Sequence, residues 1–207
     1  MPDRGVMQKR QIDLFFRELD KALGKKAEII LLGASAGSLM GHIRPSFDID
    51  FEIRFGKSHR SGPKTVEEKI LQTARKAKVA VNFSENVDHC SMISYLDYRK
   101  TALPYKKFGK LNVKLIAPAY WTIGKMARYY ALDAKDIAAI IKRKKLKPGP
   151  LVRLWKRALQ SSDLSLELGQ FRKHAAHFLK TYGRKLWGKK FSHESYGAPW
   201  DNTRGSL

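Results

Sequence analysis

The sequence predicts an α+β protein, a mixed β-sheet with flanking helices followed by a helical C-terminal lobe, and three observations carry that prediction. Short apolar or alternating runs that suit strands all fall before Pro118. Beyond Pro118, apolar residues recur only at helical spacing. Pro148-Gly149-Pro150 is the clearest break in the chain. The expected organisation is therefore residues 1–117 as a core, then 118–207 as a helical region interrupted at 148–150.

Each element follows from its local pattern. Ile12, Phe15, Phe16, Leu19 and Leu23 lie on one helical face, and Gly24 is a natural stop. Ile29 to Leu32 is a short apolar run that suits a buried strand. Gly33 to Gly41 is rich in small residues and contains a short helix-forming stretch, and Phe47 to Phe55 alternates as a second strand. After a Gly/Pro/Ser loop over 58–64, Thr65-Val66-Glu67-Glu68 matches a capping box that opens a helix to about Ala77. Val79–Phe83, Ser91–Leu96 and Leu111–Leu115 are further strand candidates. Residues 120–131, 133–144, 151–159 and 164–182 carry helical spacing, and the tail from Gly188 reads as irregular.

Charge is the unusual bulk property. The 207 residues carry 41 Lys and Arg against 19 Asp and Glu, a net charge of +22. Such an excess attracts polyanions and strengthens their complexes through counterion release. RNA, DNA, nucleotides and anionic membrane surfaces all qualify as partners. The densest run, Lys142 to Lys145, closes a predicted helix, where cations also complement the helix dipole. Cys90 is the single cysteine, which excludes an intrachain disulfide and a cysteine-based metal cluster. No apolar run approaches a membrane span, and the first residues lack the apolar stretch of a secretory signal. The expectation is a cytoplasmic protein without a membrane role.

The chemistry concentrates between Gly33 and Ile53. On a strand, residues i and i+2 share a face, roughly 7 Å apart. Asp48 and Asp50 therefore project together, while Ile49, Phe51 and Ile53 turn into an apolar layer. A divalent cation relieves the repulsion of two such carboxylates, and hard oxygen ligands suit magnesium, or manganese, best. Magnesium bridging carboxylates and phosphates serves in-line nucleotidyl transfer. A glycine after the preceding strand lets backbone amides approach phosphate, and the following helix turns its positive end toward it. A lone Asp-x-Asp usually marks a solvated strand face. The combination with an apolar strand, a small-residue turn and a short helix favours the catalytic reading.

The same segment resembles the Gly-[Gly/Ser]…Asp-x-Asp signature of the polymerase-beta-like nucleotidyltransferase superfamily. It is most similar to the minimal bacterial branch that includes abortive-infection type toxins. That branch often shows Arg-x-[Ser/Thr]-x-Asp-Ile-Asp, and Arg44, Ser46, Asp48, Ile49 and Asp50 fit as they stand. A second block, Pro118 to Arg128 and Asp133 to Ile137, resembles the branch's helical pattern. There a Pro-started helix supplies a lysine, here Lys125, and an Asp-x-x-Asp, here Asp133 and Asp136, opens the next helix. The two blocks cover about half the chain.

The resemblance implies a nucleotidyltransferase fold for residues 1–117 and a nucleoside triphosphate co-substrate. Asp48 and Asp50 would hold the metal, and Gly33, Ser35, Arg44 and Lys125 would meet the nucleotide. Ala34 stands where the family usually has a second Gly or Ser, which implies that one phosphate contact is either weakened or shifted to Ser35. The family's third carboxylate lies on a neighbouring strand as base or metal ligand, and Asp88 and Asp97 are the candidates. With the charge, RNA becomes the favoured acceptor, a tRNA end among the options. A toxin paired with an antitoxin protein follows from the resemblance alone. The rivals are transfer to a protein or a small molecule, and a non-catalytic nucleic-acid-binding protein on the same scaffold.

Several side chains have plain structural readings. Lys125 alone would be a solvated lysine, and Asp133 and Asp136 suit the first turn of a helix. His174 and His177 stand three apart on a helix without an evident third ligand, so a basic or partly buried face is the better reading. Trp121, Trp155, Trp187 and Trp200 are expected as packing residues.

Overall fold

The computed structural model describes residues 9–41, 46–56, 63–87 and 93–197. They divide into two compact units, one from 1–87 with 97–117, the other from 88–96 with 118–207. The fold is α+β, with a mixed five-stranded sheet in the first unit and helices in both.

In the first unit the chain runs α1 (Lys9–Leu23), β1 (Ala27–Leu31), α2 (Gly33–Gly41), β2 (Asp48–Phe55), α3 (Pro63–Ala77) and β3 (Ala80–Ser84). It continues through α4 (Tyr98–Thr101), β4 (Leu103–Phe108) and β5 (Leu111–Leu115). The sheet order is β3-β2-β1-β5-β4. β1 pairs antiparallel with β2 and parallel with β5, β2 pairs parallel with β3, and β4 closes the edge antiparallel to β5. Alternation along β2 places Ile49, Phe51 and Ile53 in the core, where α1 supplies the Ile12, Phe15, Phe16 and Leu19 stripe. Phe51 is the centre of that core, with its ring centroid 5.9 Å from Phe15, 5.7 Å from Phe16 and 5.7 Å from Phe83. This apolar layer fixes which face of β2 is left for the acids.

The second unit contains α5 (Pro118–Arg128), α6 (Ala131–Lys144), α7 (Pro148–Gln160), α8 (Leu166–Trp187) and a short α9 (Glu194–Gly197). Trp155 is fully buried, and its indole nitrogen donates to Thr122 Oγ1 at 2.9 Å. Among the described residues, no helix is long and apolar enough to cross a membrane.

Two expectations need correction, and one strand was not foreseen. Residues 93–96 of the expected strand at 91–96 form bends and turns rather than a strand. Ile93 and Tyr95 are buried, and the Ser94 N–H donates to Ser162 Oγ at 2.8 Å, so the alternation reflects irregular packing. Pro148-Gly149-Pro150 is the first turn of α7, with proline in the opening positions where no N–H is needed, and the break lies at 145–147. The strand β4 was not expected, because Pro104, Lys106 and Lys107 obscure its pattern. An edge strand tolerates all three.

Candidate functional site

The site is assembled where β1 ends, α2 begins and β2 passes alongside. Gly33 leaves β1 with φ +51°, in the left-handed region. A Cβ there would sit 1.7 Å from Asp50 Oδ2, so glycine is required by the carboxylate as well as by the turn. Ser35, fully buried in α2, donates its hydroxyl to the Leu32 carbonyl at 3.0 Å and accepts from the Asp50 N–H at 3.3 Å. Ser46, 1% exposed, places its Oγ 2.6 Å from the Asp48 carbonyl oxygen and 3.2 Å from Asp48 Oδ1. Small buried hydroxyls thus pin the backbone on both sides of the acids.

Asp48 and Asp50 lie half-buried on the same face of β2. The residue that joins them is Asn82, in register with Asp50 on the neighbouring parallel strand β3. Its Nδ2 donates to Asp48 Oδ2 at 2.8 Å and to Asp50 Oδ1 at 3.0 Å. One NH2 group therefore satisfies one oxygen from each carboxylate. Two hard anionic oxygens converging on one exposed point is a donor set that fits a divalent cation. Asp48 and Asp50 would be its anionic ligands, and the Asn82 carbonyl oxygen, after an amide flip, a neutral one. Among the described residues no group of three or more His, Cys, Asp or Glu gathers to hold a metal.

One step further along the same face, Glu52 is fully buried. The Tyr98 hydroxyl donates to its Oε2 at 2.5 Å, and Arg99 Nε donates to Oε1 at 2.7 Å. Arg99 also reaches the Asn86 side-chain carbonyl at 2.9 Å. Burial, reinforced by Glu52, pushes the Tyr98 hydroxyl far above its ordinary range, so it remains a donor. Sequence reasoning assigned no role to Glu52 or Asn82. The alternation Asp48, Asp50, Glu52 was the available signal for the first, whereas a neutral amide is invisible to a search for acids.

The other expected residues are placed as follows. Asp88 and Arg44 lie outside the described residues. Asp97 precedes α4 with a half-exposed carboxylate 3.6 Å from Lys100 Nζ. Lys125, in the second unit, is 4% exposed, and its ammonium lies 3.0 Å from Asp133 and 3.1 Å from Asp136. Arg128 adds two hydrogen bonds to Asp133, at 2.8 and 2.9 Å. Burial alone would raise the Asp133 carboxyl, but the Arg128 and Lys125 hydrogen bonds and charges outweigh it and hold it down at about 2. Neither Ser35 nor Lys125 turns its polar atoms to the surface in this arrangement. His174 Nδ1 lies 2.9 Å from the Met126 carbonyl oxygen and His177 Nδ1 lies 2.9 Å from the Tyr129 hydroxyl, so both rings are engaged within the unit.

Compared with known proteins, the chain matches no family model, no curated protein and no solved structure.

Proposed function

We propose that the chain is a metal-dependent nucleotidyltransferase with RNA as its acceptor, on a nucleotidyltransferase-type fold. The observation that carries this reading is the Asp48/Asp50 pair drawn onto one point by Asn82, beside a glycine turn that only a Cβ-free residue can make. The order of motifs along the chain, which resembles the polymerase-beta-like superfamily, supports the same reaction. The net charge of +22 supports a polyanionic acceptor.

In the reaction proposed, an acceptor hydroxyl oxygen attacks the α-phosphorus of a nucleoside triphosphate. A new P–O bond forms, the bond to the bridging α,β-oxygen breaks, and pyrophosphate leaves with the electron pair. Magnesium, when bound, lowers the cost of negative charge on the reacting phosphates. Asp48 and Asp50 hold their oxygens toward one point, and Asn82 sets the spacing between them. Gly33 leaves room for the Asp50 carboxylate, while Ser35 and Ser46 fix the backbone that carries the pair. The neutral Asn82 amide cannot take the hydroxyl proton, so that proton passes to a carboxylate or to water. Lys125 acts within its own unit in this reading, since Asp133 and Asp136 occupy its ammonium.

Incubation with each labelled nucleoside triphosphate, magnesium and total RNA tests the proposal. Label should enter RNA from one or more nucleotides. Label in protein, or in a small molecule, would move the acceptor and keep the reaction. A second reading, a nucleic-acid-binding protein without catalysis, gains from Ala34 at the glycine turn and from an amide, rather than a third acid, bonded to Asp48 and Asp50. RNA binding with no transfer of any nucleotide would select it.

A further inference from the structure

At the end of the sheet away from Asp48 and Asp50 lies a recess within the first unit, a cavity of about 710 Å³. It is framed by one row of register partners across four strands. Arg54 on β2 pairs with Glu28 on β1, Glu28 with Asn112 on β5, and Asn112 with Lys107 on β4. Register partners share a face, and strands stand about 4.8 Å apart, so the row is about 14 Å long. Lys26, just before β1, and Lys110, in the turn before β5, also line the recess.

The charge balance there is strongly positive. Glu28 is paired with Lys114 at 2.5 Å. Asp20 stands at the rim, where Oδ1 accepts the Lys110 N–H at 2.7 Å, and Lys110 Nζ is held by the Gly24 carbonyl at 2.8 Å. Among the described residues, Lys26 and Lys107 have no acidic partner, and both are exposed. Arg54 is 54% exposed and stays 3.8 Å from Glu52, which Arg99 holds more closely. Phe55, half-buried, is also on the lining.

We propose that this recess binds a single-stranded phosphodiester chain, with RNA its natural source. Cations at the two ends of a row about 14 Å long, Arg54 and Lys107, with Lys26 and Lys110 also on the lining and no single buried focus, fit repeating phosphates better than a single phosphate ion. Cations spread over more than one nucleotide spacing are the pattern that tracks the backbone of a single strand. Arg54 lies four positions beyond Asp50 on β2, about 13 Å, so recess and carboxylate pair are separate sites on one strand. The inference goes beyond the proposed transfer, because it concerns binding with or without chemistry.

The test is fluorescence anisotropy of the full chain with labelled 12-nucleotide RNA, 12-nucleotide single-stranded DNA and an oligoglutamate of equal charge, across a salt series. Arg54→Glu with Lys107→Glu should weaken RNA binding at least 30-fold at low salt and flatten the slope of log K against log salt by about 1.4. Lys142→Glu with Lys144→Glu makes the same charge change elsewhere and should weaken it less than threefold. Should the reversal variant unfold, Arg54→Gln with Lys107→Gln is used instead, with a loss of at least fivefold expected. Preference for RNA over DNA assigns the source, and equal binding supports the phosphodiester class. Equal losses from both pairs of substitutions, equal binding of oligoglutamate, or competition by millimolar inorganic phosphate would each overturn the proposal. Nucleotide transfer is not measured, so failure here is distinct from failure of the enzyme reading.

Discussion

At Asn82 a neutral amide gives one hydrogen to each of two carboxylates, and the chemistry of the pair depends on its neutrality. Asn82→Asp would set three carboxylates together with no donor between them. Repulsion should lower the melting temperature of the metal-free protein, and magnesium should restore more of it than it adds to the wild type. Thermal denaturation with and without magnesium reads both effects, and a melting temperature indifferent to magnesium in both proteins would sink the metal assignment. Gly33 gives a second residue-scale test. Gly33→Ala meets an unfavourable φ of +51° and a carboxylate oxygen 1.7 Å from the new Cβ. A loss of about 2–4 kcal/mol is expected in urea denaturation. Gly24→Ala has a similar φ of +62° but nothing within 4 Å, and should cost only about 1 kcal/mol. Asp48 and Asp50 were legible in the sequence because spacing alone sets them on one face of a strand. Asn82 was not, because its link to Asp50 is a pairing between strands 32 positions apart, made by a residue type that carries no charge.

Among the elements, the α5–α6 pair contains the most consequential buried charge. Asp133 sits in the first turn of α6, where it caps the helix and receives Lys125 and Arg128. Its carboxyl ionises more readily folded, at about 2, than at the ordinary 3.8. The network therefore stabilises the fold fully above the ordinary value and loses that contribution as pH falls toward 2, on the order of 2 kcal/mol. Asp133→Asn should destabilise the protein by about 3 kcal/mol near neutrality, since it leaves Lys125 with a single acidic partner. It should also shrink the stability change between pH 4 and pH 2. Urea denaturation across that range measures both, and an unchanged acid limb would contradict the account. The sequence pattern placed Asp133 and Asp136 at the start of a helix; Asp133 does lie in the first turn of α6, Asp136 lies beyond it, and the pattern could not show that Lys125 folds back onto both. Helix and strand types followed from periodicity wherever one face is buried. The pattern misled at 93–96, where irregular backbone buries alternate side chains, and at β4, where an edge strand carries proline and lysine.

At the scale of the molecule, the excess of cations has a structure that composition cannot display. Some of it is neutralised inside each unit, as at Lys125 and Arg99, and some lines the recess at one end of the sheet. Asp48 and Asp50, the acids proposed to hold the metal, stand at the other end of the same strand, β2. The two functions proposed here, collecting a metal and holding a polyanion, are therefore separable by mutation. The central claim is transfer at the Asp48/Asp50 pair, and the most direct test is the Asp48→Asn/Asp50→Asn variant assayed beside the wild type with labelled nucleoside triphosphates, magnesium and RNA. The account predicts that transfer falls at least a thousandfold, while RNA affinity stays level or rises slightly because only negative charge is removed. Transfer at the wild-type rate by the double variant would contradict it.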